Sequence, residues 1–344
     1  MDKLRVGVIG AGKMGILHSG IFNSLDKSTL CAITDNDGFM VNVLNNYLPR
    51  VNAYRDYKEM IKKENLDLAV ITTPVYLHKP IIENLIENNL SIFVEKPLAI
   101  NGNECKSLLS KSHRNKSLVG YCRRFMETYK LAKKIILSEE LGKVNYFNSH
   151  IYVSQIFGQG KGWLYSPKMS GGGVLIDLGS HAIDLFHYIF GDILNVSAFA
   201  EPVFNKEVED YASINLRLQN KIFGSLQVSW SIRSYRLPEF KIEIHMDDGV
   251  INVTEKYISI YSEVNANHVK KGWNTYYKQD LVKNIKINIA GPEYTLEDLH
   301  ILDCILKNRQ TICDFGEAAK TNFVLDKIYS SIESNKVEKI SYGV

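Results

Sequence analysis

Leu4-Arg5-Val6-Gly7-Val8-Ile9-Gly10-Ala11-Gly12-Lys13-Met14-Gly15 is the stretch that decides the fold. Leu4–Ile9 is a short apolar strand pattern that runs straight into Gly-x-Gly-x-x-Gly, and a helical pattern follows to about Leu25. Strand, glycine turn and helix in that order are the context in which this motif binds a dinucleotide. Gly10 would allow the tight turn, Gly12 the close approach of a diphosphate, and Gly15 the packing of helix on strand. Lys13 and Met14 complete the turn, and the diphosphate would sit on N–H groups at the helix N-terminus. A second strand, Leu30–Thr34, ends in Asp35, 20 residues after Gly15. An acid there accepts hydrogen bonds from an adenosine ribose and repels a 2′-phosphate, which favours NAD over NADP. The competing reading makes Asp35 a turn residue, since Asn36-Asp37-Gly38 follows.

Working outward, Leu66–Thr72 reads as a buried strand broken by Thr73-Pro74, with a helix from about Pro80 to Asn89. Ser91–Val94 is another strand and ends in Glu95-Lys96-Pro97, at the end of a strand where open parallel sheets place their ligands. Lys96 there would hold a substrate oxygen and stabilise a developing alkoxide. Ser117–Tyr121 adds a further strand. The alternation of strands and helices predicts an α/β fold with a doubly wound parallel sheet over residues 1–122.

After Cys122-Arg123-Arg124-Phe125 the pattern changes to long alternating strands, such as Tyr211–Leu218 and Ile222–Ser229. Asp247-Asp248-Gly249 joins Phe240–Met246 to Val250–Thr254 as a hairpin. Residues 123–344 are therefore expected to form an α+β domain with a large open, mostly antiparallel sheet. Its last helices, about Leu296–Lys307 and Gly316–Ser334, are free to pack back on the first domain, and Asn265–Ile289 receives no assignment.

Ser170–Asp184 carries the chemistry. Three glycines open an apolar segment that runs to Phe190 before Gly191 stops it, the punctuation of one helix. Asp177, His181, Asp184 and Tyr188 would share one stripe of that helix. A solvated face is the plain alternative, yet Gly171–Phe190 contains no Lys, Arg or Glu. An Asp one turn before a His orients the imidazole and stabilises its charged form, which suits a general acid/base.

Composition excludes several classes. Lys+Arg 41 against Asp+Glu 38 gives +3 with the signs interspersed, so no basic footprint for nucleic acid appears. No apolar run is long enough for a membrane span and no leader pattern opens the chain, so a cytoplasmic protein is expected. The five cysteines are scattered without Cys-x-x-Cys, which predicts reduced thiols and no metal site.

The combination of Gly10–Gly15, Thr73-Pro74-x-x-x-His78, Glu95-Lys96-Pro97, Gly120-Tyr121-x-Arg123-Arg124-Phe125 and Gly171–Asp184 resembles the glucose–fructose oxidoreductase/inositol dehydrogenase (Gfo/Idh/MocA) family. The resemblance covers essentially the whole chain in order. It implies NAD(P)-dependent hydride transfer at a secondary alcohol of a sugar, cyclitol or derivative. It implies that Lys96 meets the reacting hydroxyl, that Asp177 and His181 are the catalytic pair, and that Thr73, Pro74, His78 and Glu95 lie near the nicotinamide half of the cofactor. Lys96–Pro97 would be a cis peptide bond, and Arg124, Trp163 and Tyr235 would contact substrate. A homodimer or homotetramer is implied as well, with Ile222, Leu226, Val228 and Trp230 giving the sheet one apolar side. Which of Lys96 and His181 is the formal base stays open, because the pair would titrate as a unit. Two rivals share the fold: a dinucleotide-binding sensor without chemistry, against which Lys96, Asp177 and His181 argue, and an NAD-retaining glycosidase, which would release free sugar.

Overall fold

The computed structural model describes residues 3–111 and 116–343. They form two compact units, one of residues up to Cys122 together with Ile285–Ala319, the other of Arg123–Asn284 with Lys320 onward.

The first unit is built on six parallel strands: β1 (Leu4–Ile9), β2 (Ser28–Thr34), β3 (Asn52–Tyr54), β4 (Leu68–Ile71), β5 (Ser91–Glu95) and β6 (Ser117–Gly120). Their order is β3-β2-β1-β4-β5-β6, the doubly wound arrangement in which the chain switches direction beside β1. The central strands are apolar on both faces because helices cover both, and every residue of β4 is buried. The helix Pro292–Leu306 belongs to this unit, where it packs on the helix Lys13–Ser24.

In the second unit nine strands form one sheet: β7 (Val144–Tyr152), β8 (Ile193–Glu201), β9 (Tyr211–Leu218), β10 (Phe223–Ser229), β11 (Glu239–Met246), β12 (Gly249–Thr254), β13 (Tyr257–Ser262), β14 (Gly272–Tyr277) and β15 (Glu338–Lys339). Only β7 and β10 run parallel, and the remaining neighbours are antiparallel. Alternation decides which face is covered: β11 reads half-buried, buried, half-buried along its whole length. The buried side meets Tyr129, Ala132 and Ile135 of the helix Glu127–Leu137 and Phe186 and Ile189 of the helix Ser180–Phe190. Ile222, Leu226, Val228 and Trp230 lie on this side and are buried in the unit's own core, so they do not form an assembly surface. The other side instead exposes Phe199, Phe223, Trp273 and Tyr277.

One expected element differs. The segment from Gly171 to Phe190 is not one regular helix. The glycines are extended or bent, Leu175–Gly179 forms a π-turn, and the α-helix proper runs over Ser180–Phe190 to Gly191, whose φ is 92°. The wider turn sets Asp177 off from the stripe that a 3.6-residue period describes. Among the described residues no helix is long and apolar enough to cross a membrane.

Candidate active site

In the first unit the glycine turn closes as its residue types demand. Gly10 takes φ 101°, and the Thr72 hydroxyl donates to the carbonyls of Ile9 (3.1 Å) and Gly10 (2.8 Å). A Cβ at Gly15 would lie 1.9 Å from the Gly10 oxygen, so only glycine lets the helix approach. A Cβ at Gly12 would meet nothing within 4 Å. No side chain caps the helix Lys13–Ser24 and no acid lies in its first turn, so its positive end faces that open space. Lys13 is exposed and Met14 half-buried beside it. Asp35 sits at the end of β2, where its Oδ2 accepts the Ala11 N–H at 2.8 Å and its Oδ1 accepts the Asp37 N–H at 2.9 Å. Both readings of Asp35 are thus present in one carboxylate: it holds its own turn and stands against the glycine turn. Gly12, the uncapped helix end and Asp35 together fit a dinucleotide.

The loops after β4 and β5 are tied by His78. Its Nδ1 lies 2.9 Å from the Pro97 carbonyl oxygen and its Nε2 3.0 Å from that of Thr73. Burial lowers its pKa, against the pull of the two carbonyl oxygens. Lys96–Pro97 is cis. Lys96 is half-buried, and its N–H donates to Glu95 Oε2 at 3.1 Å. Pro74 opens the turn Val75–Leu77, and Thr73 precedes it.

In the second unit, Asp177 and His181 are half-buried on a segment whose other residues from Val174 to Phe190 are buried, apart from Tyr188. Asp177 Oδ2 accepts the Trp230 indole N–H at 3.1 Å. Such a stripe is not a solvated helix face, because burial surrounds it. The start of the segment is held by Glu209. Its carboxylate accepts the N–H groups of Gly173 (2.9 Å) and Leu175 (3.1 Å) and the Tyr329 hydroxyl (2.8 Å), and its carbonyl accepts the Val174 N–H (2.9 Å).

Arg124, expected against substrate, is buried and paired with Asp184, with Nε to Oδ2 at 2.9 Å and an amino nitrogen to Oδ1 at 2.8 Å, its side chain only 3% exposed. The pair takes Asp184 out of the open stripe, and Arg124 also lies 5.5 Å from the Tyr188 ring centre. Trp163 is exposed in a short turn. Tyr235 stands edge-on to Tyr152 and lines a cavity of about 690 Å³ with Ser154, Arg236 and Lys256, whose lining includes neither Asp177 nor His181. Sequence reasoning missed Thr72, Glu209, His18 and Asp298. Only His18 leaves a local trace, as a histidine on the buried face of a helix.

Comparisons with known proteins bear on the family and the fold. Residues 4–121 match an oxidoreductase family with an NAD-binding Rossmann fold, and residues 129–252 match a GFO/IDH/MocA C-terminal domain. The scyllo-inositol 2-dehydrogenase (NAD(+)) of Bacillus subtilis (strain 168) is 28% identical over 227 residues, covering 65% of this chain and 65% of that protein, a little under two thirds of its length. The myo-inositol 2-dehydrogenase of Thermotoga maritima is 24% identical over 234 residues, 66% of this chain and 68% of the relative. A solved levoglucosan dehydrogenase in complex with NADH and levoglucosan shares the fold with a TM-score of 0.91 at 20% identity, over 99% of this chain and 100% of that one.

Proposed function

The chain belongs to the Gfo/Idh/MocA family of NAD-binding oxidoreductases, and from that premise we propose that it is an NAD-dependent dehydrogenase acting on a secondary alcohol of a sugar or cyclitol. The observation that carries the reading is the half-buried pair Asp177 and His181 on a segment that is otherwise buried apart from Tyr188, two titratable groups that reach the edge of a core as functional groups do. The names of the relatives, inositol dehydrogenases and a levoglucosan dehydrogenase, support polyols as the substrate class.

NAD, when bound, supplies the acceptor for the hydride that leaves the alcohol carbon. Gly12 and the uncapped helix end would hold its diphosphate and Asp35 its adenosine ribose, with Lys13 and Met14 alongside. Thr73, Pro74, His78 and Glu95 would shape the nicotinamide side. Lys96 would hold the reacting oxygen and lower the pKa of its hydroxyl, while His181 would exchange the proton. Asp177, fixed by the Trp230 indole, would orient His181 or bind a neighbouring hydroxyl. Arg124, Trp163 and Tyr235 stay in the reading as substrate contacts.

The test is a screen of sugars and inositols for reduction of NAD, followed by Lys96→Ala and His181→Ala on the best substrate. Each should lose about 10²–10⁴ in turnover, the usual contribution of general acid/base help, while binding of NADH persists. A His181→Ala protein with near-normal turnover across pH 6–9 would remove His181 from the mechanism.

A cytoplasmic dimer or tetramer belongs to the same proposal. The exposed aromatics Phe199, Phe223, Trp273 and Tyr277 on the open sheet side support it, because soluble proteins usually bury such a surface. Light scattering at micromolar concentration should return a multiple of 39.1 kDa, and the monomer mass would exclude self-association.

A further inference from the structure

The helix Lys13–Ser24 turns His18 into the interior of the first unit, where its side chain is fully buried. Nδ1 lies 2.9 and 3.0 Å from the two carboxylate oxygens of Asp298, and Nε2 lies 3.1 Å from Glu95 Oε1. A neutral imidazole donates from only one nitrogen, so two carboxylate partners call for the doubly protonated ring. The other oxygen of Glu95 accepts the N–H of Lys96. A continuous line of hydrogen bonds therefore runs from the helix Pro292–Leu306 through His18 to the backbone of the Glu-Lys-Pro loop.

We propose that His18 and Asp298 are positioning residues: Asp298 keeps His18 an imidazolium, and the imidazolium fixes the Glu95 carboxylate and with it the loop that presents Lys96. The proposal rests on the dehydrogenase reading for the role of Lys96, and on hydrogen bonds within one unit for everything else.

The surroundings leave few alternatives for the charge. Burial alone would lower the pKa of His18, but Asp298 and Glu95 reverse this and hold it well above the usual imidazole range. Burial pushes the Asp298 carboxyl up to about 6, so it is ionised at neutral pH. The groups beside His18 on the packed helix also include Tyr294 and Glu297. Glu297 is fully buried and neither of its oxygens has a hydrogen-bond partner, and burial raises its pKa well above the ordinary value. A buried carboxyl without partners favours its neutral form, which works against a third negative charge in the cluster. If the imidazolium lost a proton, one nitrogen would cease to donate. Either Asp298 or Glu95 would then be a buried carboxylate short of a partner, and Glu95 is the one with a route toward solvent.

The sign of the pH effect follows. His18, Asp298 and Glu297 all have folded pKa values above their unfolded ones, so at this cluster the folded state binds more protons than the unfolded chain. The stability due to His18 is complete below the unfolded value of about 6.5 and is lost as pH rises through its raised folded value.

The test follows the His18 ring by NMR from pH 5.5 to 9.5, assigned by its loss in His18→Gln, with NADH affinity measured by fluorescence over the same range. In the unmodified protein the ring should remain imidazolium through pH 8 and the affinity should be flat there. Asp298→Asn keeps the shape and should bring the titration into the range, with NADH affinity falling about fivefold or more as the ring loses its proton. Glu95→Gln, which removes the other carboxylate, should also lower the titration and covers the case of an Asp298 variant that does not fold. A neutral His18 at pH 7 in the unmodified protein, or variants that leave its titration unchanged, would overturn the proposal. His18, Glu297 and Asp298 also offer ligand atoms within 4.8 Å of one another. A thermal shift on adding zinc or magnesium chloride that Asp298→Asn abolishes would overturn it in favour of a cation. An unmodified protein that binds no NADH at any pH would fail the dehydrogenase reading and the role given to Lys96, while the NMR titration would still report separately on the charge of His18.

Discussion

Two glycine-rich turns open two helical segments in this chain, and they are put to opposite uses. The turn Gly10–Gly15 leaves its helix uncapped and leaves open space at Gly12, with Asp35 accepting the Ala11 N–H of the turn. The turn Gly171–Gly173 is closed by its own protein: the N–H groups of Gly173, Val174 and Leu175 all go to Glu209, and a Cβ at Gly172 would lie 1.9 Å from the Tyr329 hydroxyl. Glycine lets a backbone approach something closely, and what differs is whether that something is a ligand or a carboxylate of the same chain. An end that keeps its N–H groups for an outside anion is a binding site, whereas an end that satisfies them internally is a rigid mount.

Filling the glycines should break the comparison most visibly. Gly15→Ala drives a methyl into the Gly10 carbonyl, and Gly173→Ala drives one to within 2.1 Å of the Glu209 carbonyl oxygen. Neither backbone oxygen can step aside alone, so each variant should lose more than about 4 kcal/mol of stability, the range reserved for severe overpacking. Gly12→Ala should fold with an unchanged melting temperature and yet bind NADH more weakly, because its methyl enters the space the diphosphate needs. Thermal unfolding alongside NADH fluorescence separates the two outcomes. A Gly12→Ala protein with full NADH affinity would mean that the open space is not the cofactor's.

The two turns also differed in how far they were legible. Gly10–Gly15 could be read because its signal is local, the strand before, the helix after and three glycines at fixed spacing, whereas the Thr72 hydroxyl that ties it down, 62 residues from Gly10, left no trace. The glycines at 171–173 were visible as punctuation, but their reason was not, since Glu209 and Tyr329 lie far off in the sequence. For the same reason the π-turn over Leu175–Gly179 escaped a reading based on a 3.6-residue period. The ion pair of Arg124 with Asp184, 60 residues away, left no local trace either. His18 and Asp298 are 280 residues apart, and no local pattern predicts such a pairing. Strand β14 went unassigned since an edge strand with residues only half-buried or exposed has no apolar alternation to display. What could be read were elements whose stabilising partners are neighbours in sequence.

A finer comparison unpins the carboxylates rather than the glycines. Glu209→Ala removes an acceptor from the buried backbone N–H groups of Gly173 and Leu175 and from the Tyr329 hydroxyl. Leaving buried donors without partners costs about 2–3 kcal/mol, so the melting temperature should fall, and turnover should fall with it because Asp177 rides on this mount. NADH affinity should not move. Asp35→Ser is the mirror case. Asp35 is half-exposed and accepts from Ala11 and Asp37, bonds that a serine hydroxyl and water can largely replace, so stability should change little. What changes is charge: without the carboxylate, a 2′-phosphate no longer meets a like charge, and the preference for NAD over NADP should narrow by about tenfold, or roughly 1.4 kcal/mol. The measurement is the ratio of dissociation constants for NADH and NADPH in the two proteins at fixed ionic strength. If both proteins gave the same ratio, the carboxylate at the end of β2 would be a turn residue only, and the first glycine turn would take its cofactor without help from Asp35.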